Sequence, residues 1–207
     1  MIVKVCGMKY KENIEQLLLL KPDYMGLIFY PPSLRYMGNE DPDFFYQLGR
    51  QVKLVGVFVN ESYDVVAREI RRFGLSVVQL HGDESPQFVR KVKELNVEVI
   101  KVFRVGDAFD KEELKRYEGS CDYFLFDTMT KQYGGSGHKF QWDILDDLQT
   151  TTPWFLSGGI GPEDLDSLSL IDGKLYGVDL NSKFEDKPAL KNIDALKSFI
   201  TGIRVSR

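Results

Sequence analysis

Short apolar runs rich in β-branched residues recur along the chain, and each is followed by a turn and a stretch with helical spacing of apolar residues. The runs have the length and composition of β-strands. The eight predicted strands are Ile2–Cys6, Tyr24–Phe29, Lys53–Val59, Val77–Leu80, Val97–Phe103, Tyr123–Asp127, Trp154–Ser157 and Leu175–Leu180. The intervening stretches predict helices over Ile14–Leu20, Asp43–Arg50, Tyr63–Phe73, Ser85–Leu95, Lys111–Tyr117, Asp164–Leu168 and Asn192–Ile200, with a weaker one near Trp142–Leu148.

The regular alternation of strands and helices predicts parallel strands that are joined by crossover helices. Eight such units in 207 residues average about 26 residues each, close to the ~30 residues of a compact strand–helix–strand unit. No proline-, glycine- or serine-rich linker divides the chain. We therefore expect an α/β fold, a single-domain (β/α)8 TIM barrel over residues 1–207. The alternative is a doubly wound open sheet. That fold usually has a glycine-rich nucleotide-binding turn after its first strand, where this chain reads Cys6-Gly7-Met8-Lys9.

The composition is that of an ordinary globular protein, with 43% hydrophobic and 28% charged residues. A net charge of −4 argues against a protein that coats nucleic acid or an anionic membrane. No apolar run approaches the ~20 residues of a membrane span, and no secretory signal is visible. Two widely separated cysteines, Cys6 and Cys121, predict reduced thiols in a cytoplasmic protein. The two histidines lack the spacing of a zinc site, so we expect no bound metal.

Polar residues stand at the ends of several predicted strands, and in a barrel these ends form the catalytic rim. The seventh strand runs into Ser157-Gly158-Gly159-Ile160, and the eighth is followed by Asn181-Ser182. Glycines in such a turn let backbone N–H groups approach an anion, and the loops after strands seven and eight commonly bind phosphate in this fold. Each turn alone is equally consistent with ordinary loop structure, but together they favour a phosphate site.

Cys6 and Asp127 are the candidate acid–base pair. Cys6 ends the first strand, and Lys4, two residues earlier on the same face, would favour the thiolate and lower the pKa of the thiol. Asp127 ends a run of aromatic residues, and an apolar setting raises the pKa of a carboxyl group. A base and an acid at one rim are typical of proton-transfer enzymes. The alternative for Cys6 is a small, buried, apolar side chain.

Arg35 and His81 are candidate ligand contacts. Arg35 lies in a Pro-Pro-Ser-Leu-Arg turn, and a guanidinium group is suited to a two-point grip on a carboxylate or phosphate. The alternative is a solvated surface arginine. His81 follows the fourth strand, where a histidine that bonds only to the backbone is the alternative. The segment Gly134-Gly135-Ser136-Gly137 is either a flexible connection or a mobile lid over the site.

A series of short motifs, in register along the whole chain, resembles the phosphoribosylanthranilate isomerase family of tryptophan biosynthesis. Each motif is weak alone, and their order is what makes the resemblance specific. The motifs are Lys4-Val5-Cys6-Gly7, Gly26-Leu27-Ile28-Phe29 with Ser33-Leu34-Arg35, Val55-Gly56-Val57-Phe58-Val59-Asn60, Val78-Gln79-Leu80-His81-Gly82, Phe126-Asp127-Thr128, Gly134-Gly135-Ser136-Gly137 with Phe140-Gln141-Trp142, Leu156-Ser157-Gly158-Gly159-Ile160 and Gly177-Val178-Asp179.

The resemblance implies a cofactor-free Amadori rearrangement of N-(5-phosphoribosyl)anthranilate to 1-(2-carboxyphenylamino)-1-deoxyribulose 5-phosphate. By the same resemblance, Asp127 would be the general acid and Cys6 the general base. Arg35 would hold the anthranilate carboxylate, and His81 would line the pocket. The phosphate would be surrounded by Gly158, Gly159, Asp179, Asn181 and Ser182. The partner would be this small-molecule substrate, and the chain would be a monomer or a homodimer.

The sequence departs from the family pattern at two places. Met8-Lys9 follows the first motif where a Thr or Ser is common, and Lys183 stands where the turn after the eighth strand commonly has a glycine. We expect phosphate binding to survive, with a stiffer turn and an added, salt-dependent contact from Lys183. Two alternatives remain open. They are another phosphate-binding barrel enzyme that acts on a sugar phosphate, and a catalytically retired barrel that acts as a binding module.

Overall fold

Eight parallel strands form a closed barrel in the computed structural model, which describes residues 1–106, 109–128, 142–145, 148–171 and 175–205. Each strand pairs with the next along the chain. The barrel closes because β1 pairs with both β2 and β8, so that Lys4 lies beside Tyr24 on one side and Asp179 on the other. The strands are β1 Ile2–Cys6, β2 Tyr24–Ile28, β3 Lys53–Phe58, β4 Val77–Leu80, β5 Glu98–Val105, β6 Tyr123–Thr128, β7 Trp154–Leu156 and β8 Leu175–Leu180. The predicted TIM barrel is confirmed.

Helices connect the strands. They are α1 Lys11–Leu18, α2 Pro42–Leu48, α3 Tyr63–Phe73, α4 Pro86–Lys93, α5 Glu112–Lys115, α6 Leu165–Ser169 and α7 Ile193–Val205, with 3-10 turns at Trp142–Leu145, Pro162–Asp164 and Ser182–Phe184. Local sequence explains several ends. The Ser85 side chain accepts a hydrogen bond from the Phe88 N–H at the start of α4, and Gly74 ends α3 in the left-handed conformation (φ +63°). The described residues include no helix that is long and apolar enough to cross a bilayer.

The core has two parts. A large cluster lies between the barrel wall and the helices, and a smaller one fills the barrel interior around Tyr24, Val55, Ile100, Leu125 and Phe155. Tyr24 and Phe155 meet edge to face with their ring centroids 5.6 Å apart. Cys6 and Asp127 lie at the opposite, C-terminal ends of the strands, where a barrel carries its chemistry.

A short antiparallel hairpin follows β8 and has no counterpart in the sequence prediction. Its strands are β9 Glu185–Lys187 and β10 Leu190–Lys191, separated by a turn in which Ala189 has a positive φ of 68°. The side chain of Asn13 on α1 bonds the backbone of Lys191 in both directions, with its amide donating to the Lys191 carbonyl (2.9 Å) and its oxygen accepting from the Lys191 N–H (2.7 Å). The hairpin is therefore tied to the outer helix layer beside the rim.

Candidate active site

Cys6 lies at the C-terminal end of β1 and is almost fully buried. The thiol has room because the neighbouring residue on β2 is glycine. A Cβ atom added at Gly26 would lie 2.7 Å from the Cys6 sulfur. Gly7 then turns the chain with a positive φ of 75°, and its N–H donates to the Gly26 carbonyl at 2.9 Å. The glycines on either side thus fix a buried thiol at the rim.

Lys4 and Asp179 form a buried ion pair beside this thiol. The Lys4 ammonium donates to Asp179 Oδ1 at 2.8 Å. Burial alone would lower the pKa of Lys4, but the Asp179 carboxylate and the thiol together raise it. The lysine is therefore the fixed positive charge of the site.

The pKa of the Cys6 thiol is raised above its ordinary value. Burial is the main cause, and the Asp179 charge adds to it, while Lys4 and Lys191 act in the opposite direction. Lys4 lowers the thiol pKa as expected, but burial raises it by more. Lys4 shares its charge with Asp179, so its effect is smaller than the cost of placing a thiolate in the barrel interior.

Asp127 is the penultimate residue of β6, and one of its two oxygens accepts a hydrogen bond. Its Oδ1 accepts a hydrogen bond from the Thr128 N–H at 2.9 Å, and its Oδ2 lies 3.2 Å from His81 Nε2. The other ring nitrogen of His81 lies 3.1 Å from the side-chain nitrogen of Gln79. His81 is therefore a buried side chain in direct contact with the candidate acid, and not a histidine bonded only to the backbone.

The predicted glycine turn lies next to Asp127. Gly158 and Gly159 both have positive φ, at 90° and 71°. A Cβ atom at Gly158 would lie 2.6 Å from the Thr128 backbone nitrogen and 3.1 Å from Asp127 Oδ1. Only glycine allows the turn after β7 to approach the end of β6 this closely.

Asn181 and Ser182 follow β8, and Ser182 begins a 3-10 turn that also includes Lys183. The Asn181 side chain is close to Gly7, since a Cβ atom added there would lie 3.0 Å from Asn181 Oδ1. The same oxygen accepts a hydrogen bond from the Lys191 ammonium at 2.7 Å. Lys183 is exposed and is not among the residues with positive φ, so this turn does not require the glycine that the family commonly has.

Arg35 is not a solvated surface arginine. Its side chain is only 11% exposed and crosses Gly7, where an added Cβ atom would lie 2.5 Å from Arg35 Cδ. Glu185 binds the edge of the guanidinium formed by Nε and Nη2, with Nε donating to Oε1 at 2.9 Å and Nη2 donating to Oε2 at 2.5 Å. Burial would lower the pKa of Arg35, but Glu185 raises it.

Three buried residues of this region were missed by the sequence prediction, namely Glu185, Lys191 and Asn13. The sequence carries no local signal for them, since Glu185 and Arg35 are 150 positions apart. The segment Gly134-Gly135-Ser136-Gly137 lies outside the described residues, as does Phe140-Gln141. Within the described part of the chain, no group of three or more His, Cys, Asp or Glu side chains could hold a metal ion.

The rim thus holds a buried thiol, a carboxyl group, an ammonium group paired with Asp179 and a guanidinium group paired with Glu185. A thiol and a carboxyl group on neighbouring parts of one rim can take up and release protons at two positions of one substrate. The guanidinium group and the glycine turn are suited to anions. This arrangement is that of an acid–base enzyme for an anionic substrate.

Comparison with known proteins identifies the relatives of this chain. Residues 3–202 match the family model "N-(5'phosphoribosyl)anthranilate (PRA) isomerase". The N-(5'-phosphoribosyl)anthranilate isomerase of Phocaeicola vulgatus is 44% identical over 205 residues, which cover 99% of this chain and 98% of the relative.

Solved structures give the same result. The phosphoribosyl anthranilate isomerase of Thermus thermophilus superposes with a TM-score of 0.87 at 27% identity, and each chain is covered completely. A second isomerase structure, in complex with reduced 1-(o-carboxyphenylamino)-1-deoxyribulose 5-phosphate, has a TM-score of 0.81 at 29% identity and covers 99% of this chain and 100% of its own. A third, at 29% identity and a TM-score of 0.79 with the same coverage, is described as monomers generated from the dimeric enzyme of Thermotoga maritima.

Proposed function

The chain belongs to the N-(5'-phosphoribosyl)anthranilate isomerase family, and we propose that Asp127 and Cys6 are the acid and the base of its reaction. Its function is the isomerisation of N-(5'-phosphoribosyl)anthranilate in tryptophan biosynthesis. The observation that supports the two roles is the placement of a buried thiol and a buried carboxyl group at the C-terminal ends of two barrel strands, β1 and β6.

Asp127 acts first, as the general acid. In its protonated form it delivers a proton to the furanose ring oxygen, the ring C1′–O bond breaks, and a protonated Schiff base forms at C1′. His81 Nε2 lies 3.2 Å from Asp127 Oδ2, beside the carboxyl group that carries the proton. The Thr128 N–H holds the other oxygen, so the acid has one orientation towards the substrate.

Cys6 acts second, as the general base. Its thiolate removes the C2′ proton, the electron pair forms the C1′–C2′ double bond, and the iminium charge is neutralised to give an enolamine. The enolamine then tautomerises to the ketone. Because the thiol pKa is raised in the free protein, the cationic Schiff base is needed to favour the thiolate. Ring opening therefore activates the base for the following step.

We propose that the two anionic groups of the substrate bind at different places on the rim. Arg35 holds the anthranilate carboxylate with the guanidinium edge that Glu185 leaves open, and His81 lines the pocket. The phosphate lies against the backbone N–H groups of Gly158, Gly159, Asn181 and Ser182. Asp179 contributes to this site through its backbone, because its carboxylate is bound to Lys4 and would repel a phosphate.

Two proton transfers need only an acid and a base, so we propose that the reaction proceeds without a cofactor or a metal. We also propose that residues 1–207 act as one domain in the cytoplasm, in keeping with two buried free cysteines. Monomer and homodimer both remain possible assemblies, and light scattering on the purified protein separates them.

The experiment is a fluorescence assay with phosphoribosylanthranilate generated in situ and EDTA present. We expect loss of anthranilate-type fluorescence that depends on the protein. Cys6→Ser and Asp127→Asn should each lower kcat by about 10²-fold or more with little change in KM. Full turnover in Asp127→Asn would show that the acid is a different group, and full turnover in Cys6→Ser would do the same for the base.

A further inference from the structure

Glu185 is a buried carboxylate that accepts hydrogen bonds from Arg35 and from Lys191. Its side chain is 4% exposed. On one side it accepts hydrogen bonds from Arg35, and on the other its Oε1 accepts from the Lys191 ammonium at 2.5 Å and from the Ala189 N–H at 3.1 Å. Every one of these donors is on a different turn or strand of the rim.

Lys191 carries the connection onward to the phosphate side. Its side chain is fully buried, and its ammonium donates to Asn181 Oδ1 at 2.7 Å as well as to Glu185. Its backbone is fixed by Asn13 on α1. The chain of contacts therefore runs from the Arg35 guanidinium through Glu185 and Lys191 to the Asn181 side chain.

We propose that Glu185 is a positioning residue that holds Arg35 and, through Lys191, Asn181, so that the carboxylate clamp and the phosphate turn keep a fixed separation. The inference rests on the proposed roles of Arg35 and Asn181. A substrate anchored by two anions is bound well only if its two anchors are preorganised at the right distance. Glu185 contacts no substrate atom in this arrangement and acts through its neighbours.

The geometry also explains why a carboxylate is needed. Glu185 occupies the Nε–Nη2 edge of Arg35 and leaves the Nη1–Nη2 edge for a ligand. It also offsets part of the charge of two cations that would otherwise repel each other inside the rim. Glutamine has the same shape but only one acceptor oxygen and no charge, so it can serve neither cation fully.

The test compares Glu185→Gln with Glu69→Gln. Glu69 is a matched control, because it is also buried and paired with arginines (Arg68 and Arg72), but it lies on α3 outside the barrel. Steady-state kinetics are measured together with inhibition by 2-aminobenzoate and by inorganic phosphate. For Glu185→Gln we expect KM to rise about tenfold with kcat within about threefold, and both inhibitors to weaken. Glu69→Gln should lower only the thermal unfolding temperature.

A double variant separates the effect of Glu185 on Arg35 from its effect on Asn181 through Lys191. If Glu185 acts on the carboxylate through Arg35, Arg35→Ala/Glu185→Gln should bind 2-aminobenzoate no worse than Arg35→Ala alone. Inhibition by phosphate should still weaken when Glu185→Gln is added to Arg35→Ala, because Glu185 acts on the phosphate turn through Lys191 and not through Arg35. Unchanged KM in Glu185→Gln, or additive losses of 2-aminobenzoate binding, would overturn the positioning role. If Arg35→Ala itself binds 2-aminobenzoate normally, the proposed carboxylate clamp fails instead, whatever Glu185 does.

Discussion

At the residue scale, the protonation state of Cys6 gives the first prediction. Its pKa is raised by burial, so little thiolate is present at neutral pH, and the thiolate is the form that alkylating reagents attack. We expect iodoacetamide to modify Cys6 at pH 7.5 at least roughly tenfold more slowly than free cysteine, with a rate that keeps rising above pH 9. Peptide mass spectrometry over a pH series measures this rate.

Cys121 provides an internal comparison for that measurement, because burial raises the pKa of its thiol to about 12. It should also react slowly at pH 7.5. The Cys6→Ser variant should lose the modification at position 6 and leave that of Cys121 unchanged. Rapid modification of Cys6 at pH 7.5 would contradict the raised pKa and would indicate a thiolate in the free protein.

The Lys4–Asp179 pair gives a second prediction at this scale. Asp179→Asn leaves a buried ammonium group without its counter-ion, so we expect it to lower the free energy of unfolding by about 3 kcal/mol. Lys4→Met/Asp179→Leu removes both charges and should recover most of that stability without recovering activity. Urea denaturation measures the free energy of unfolding, and the fluorescence assay measures the activity. A loss below about 0.5 kcal/mol in Asp179→Asn would argue against a charged Lys4.

The same pair shows what sequence could predict about individual side chains. Cys6 and Asp127 were placed at the rim because they end their predicted strands, and Lys4 was placed beside Cys6 because alternate residues of a strand share a face. The raised pKa of the thiol was not foreseen, since the sequence shows that Lys4 is nearby but not that burial of the thiol outweighs the effect of the ammonium. Glu185 was invisible for a related reason, as its partner Arg35 comes 150 positions earlier.

At the element scale, the turn after β7 gives a third prediction. Gly158→Ala combines a left-handed φ of 90° with a side chain that would collide with the Thr128 backbone. Gly119→Ala is the control, because Gly119 also has a positive φ (71°) but a Cβ atom there would meet nothing within 4 Å. We expect Gly119→Ala to cost about 1 kcal/mol of stability, and Gly158→Ala to cost more and to raise KM as well. Equal losses in the two variants would mean that the close approach is relieved without cost.

The Ser182–Phe184 turn gives a fourth prediction, for the exposed Lys183. An exposed ammonium next to a bound phosphate contributes an attraction that salt screens over roughly 8–10 Å. Lys183→Gly should therefore weaken inhibition by inorganic phosphate at low ionic strength and match the wild type at about 0.5 M salt. An affinity equal to that of the wild type at every ionic strength would show that Lys183 does not reach the ligand.

The elements themselves differ in how far sequence predicted them. Each of the eight barrel strands was located within two residues, because short β-branched runs bounded by turns are distinctive, whereas the short hairpin strands β9 and β10 were missed. The strand β5 extends to Val105 because Arg104 and Val105 pair with Asp127 and Thr128, a long-range effect that periodicity does not show. The helix α5 is shorter than expected, and the weak stretch near Trp142–Leu148 is a 3-10 turn over Trp142–Leu145, since such brief segments carry less than two full helical periods.

At the scale of the whole molecule, the closed barrel could be predicted from the sequence, but the contacts that complete the site could not. Eight alternating units with no linker leave few other folds. The site, by contrast, is completed by contacts between distant parts of the chain. Arg35 comes from the loop after β2, Glu185 and Lys191 from the hairpin after β8, and Asn13 from α1. Only the closed barrel, which places β8 beside β1, brings these segments together.

The contacts that barrel closure gives to Glu185 predict how the stability of the protein changes with pH. Burial alone would raise the pKa of Glu185, but the hydrogen bonds and charges of Arg35 and Lys191 lower it below the ordinary value of 4.5. A carboxyl group with a lowered native pKa contributes stability that is complete above its unfolded value and is lost as pH falls through its native value. The difference in unfolding free energy between wild type and Glu185→Gln should therefore be constant from about pH 5.5 to 7 and shrink below pH 4.5.

Urea denaturation at a series of pH values measures this difference, with Glu112→Gln as the control for loss of one exposed carboxylate. Lys191 sets the upper limit of the pH range over which this difference is constant. Burial lowers the pKa of Lys191 to about 8 despite the attraction of Glu185. Between that value and the unfolded value of 10.5, the unfolded chain binds more protons at this site, so loss of the Lys191 charge favours the folded state as pH rises. A wild-type advantage that stayed constant down to acid unfolding would mean that the pKa of Glu185 is the same in the folded and unfolded chain, and that Arg35 and Lys191 do not stabilise its charged form.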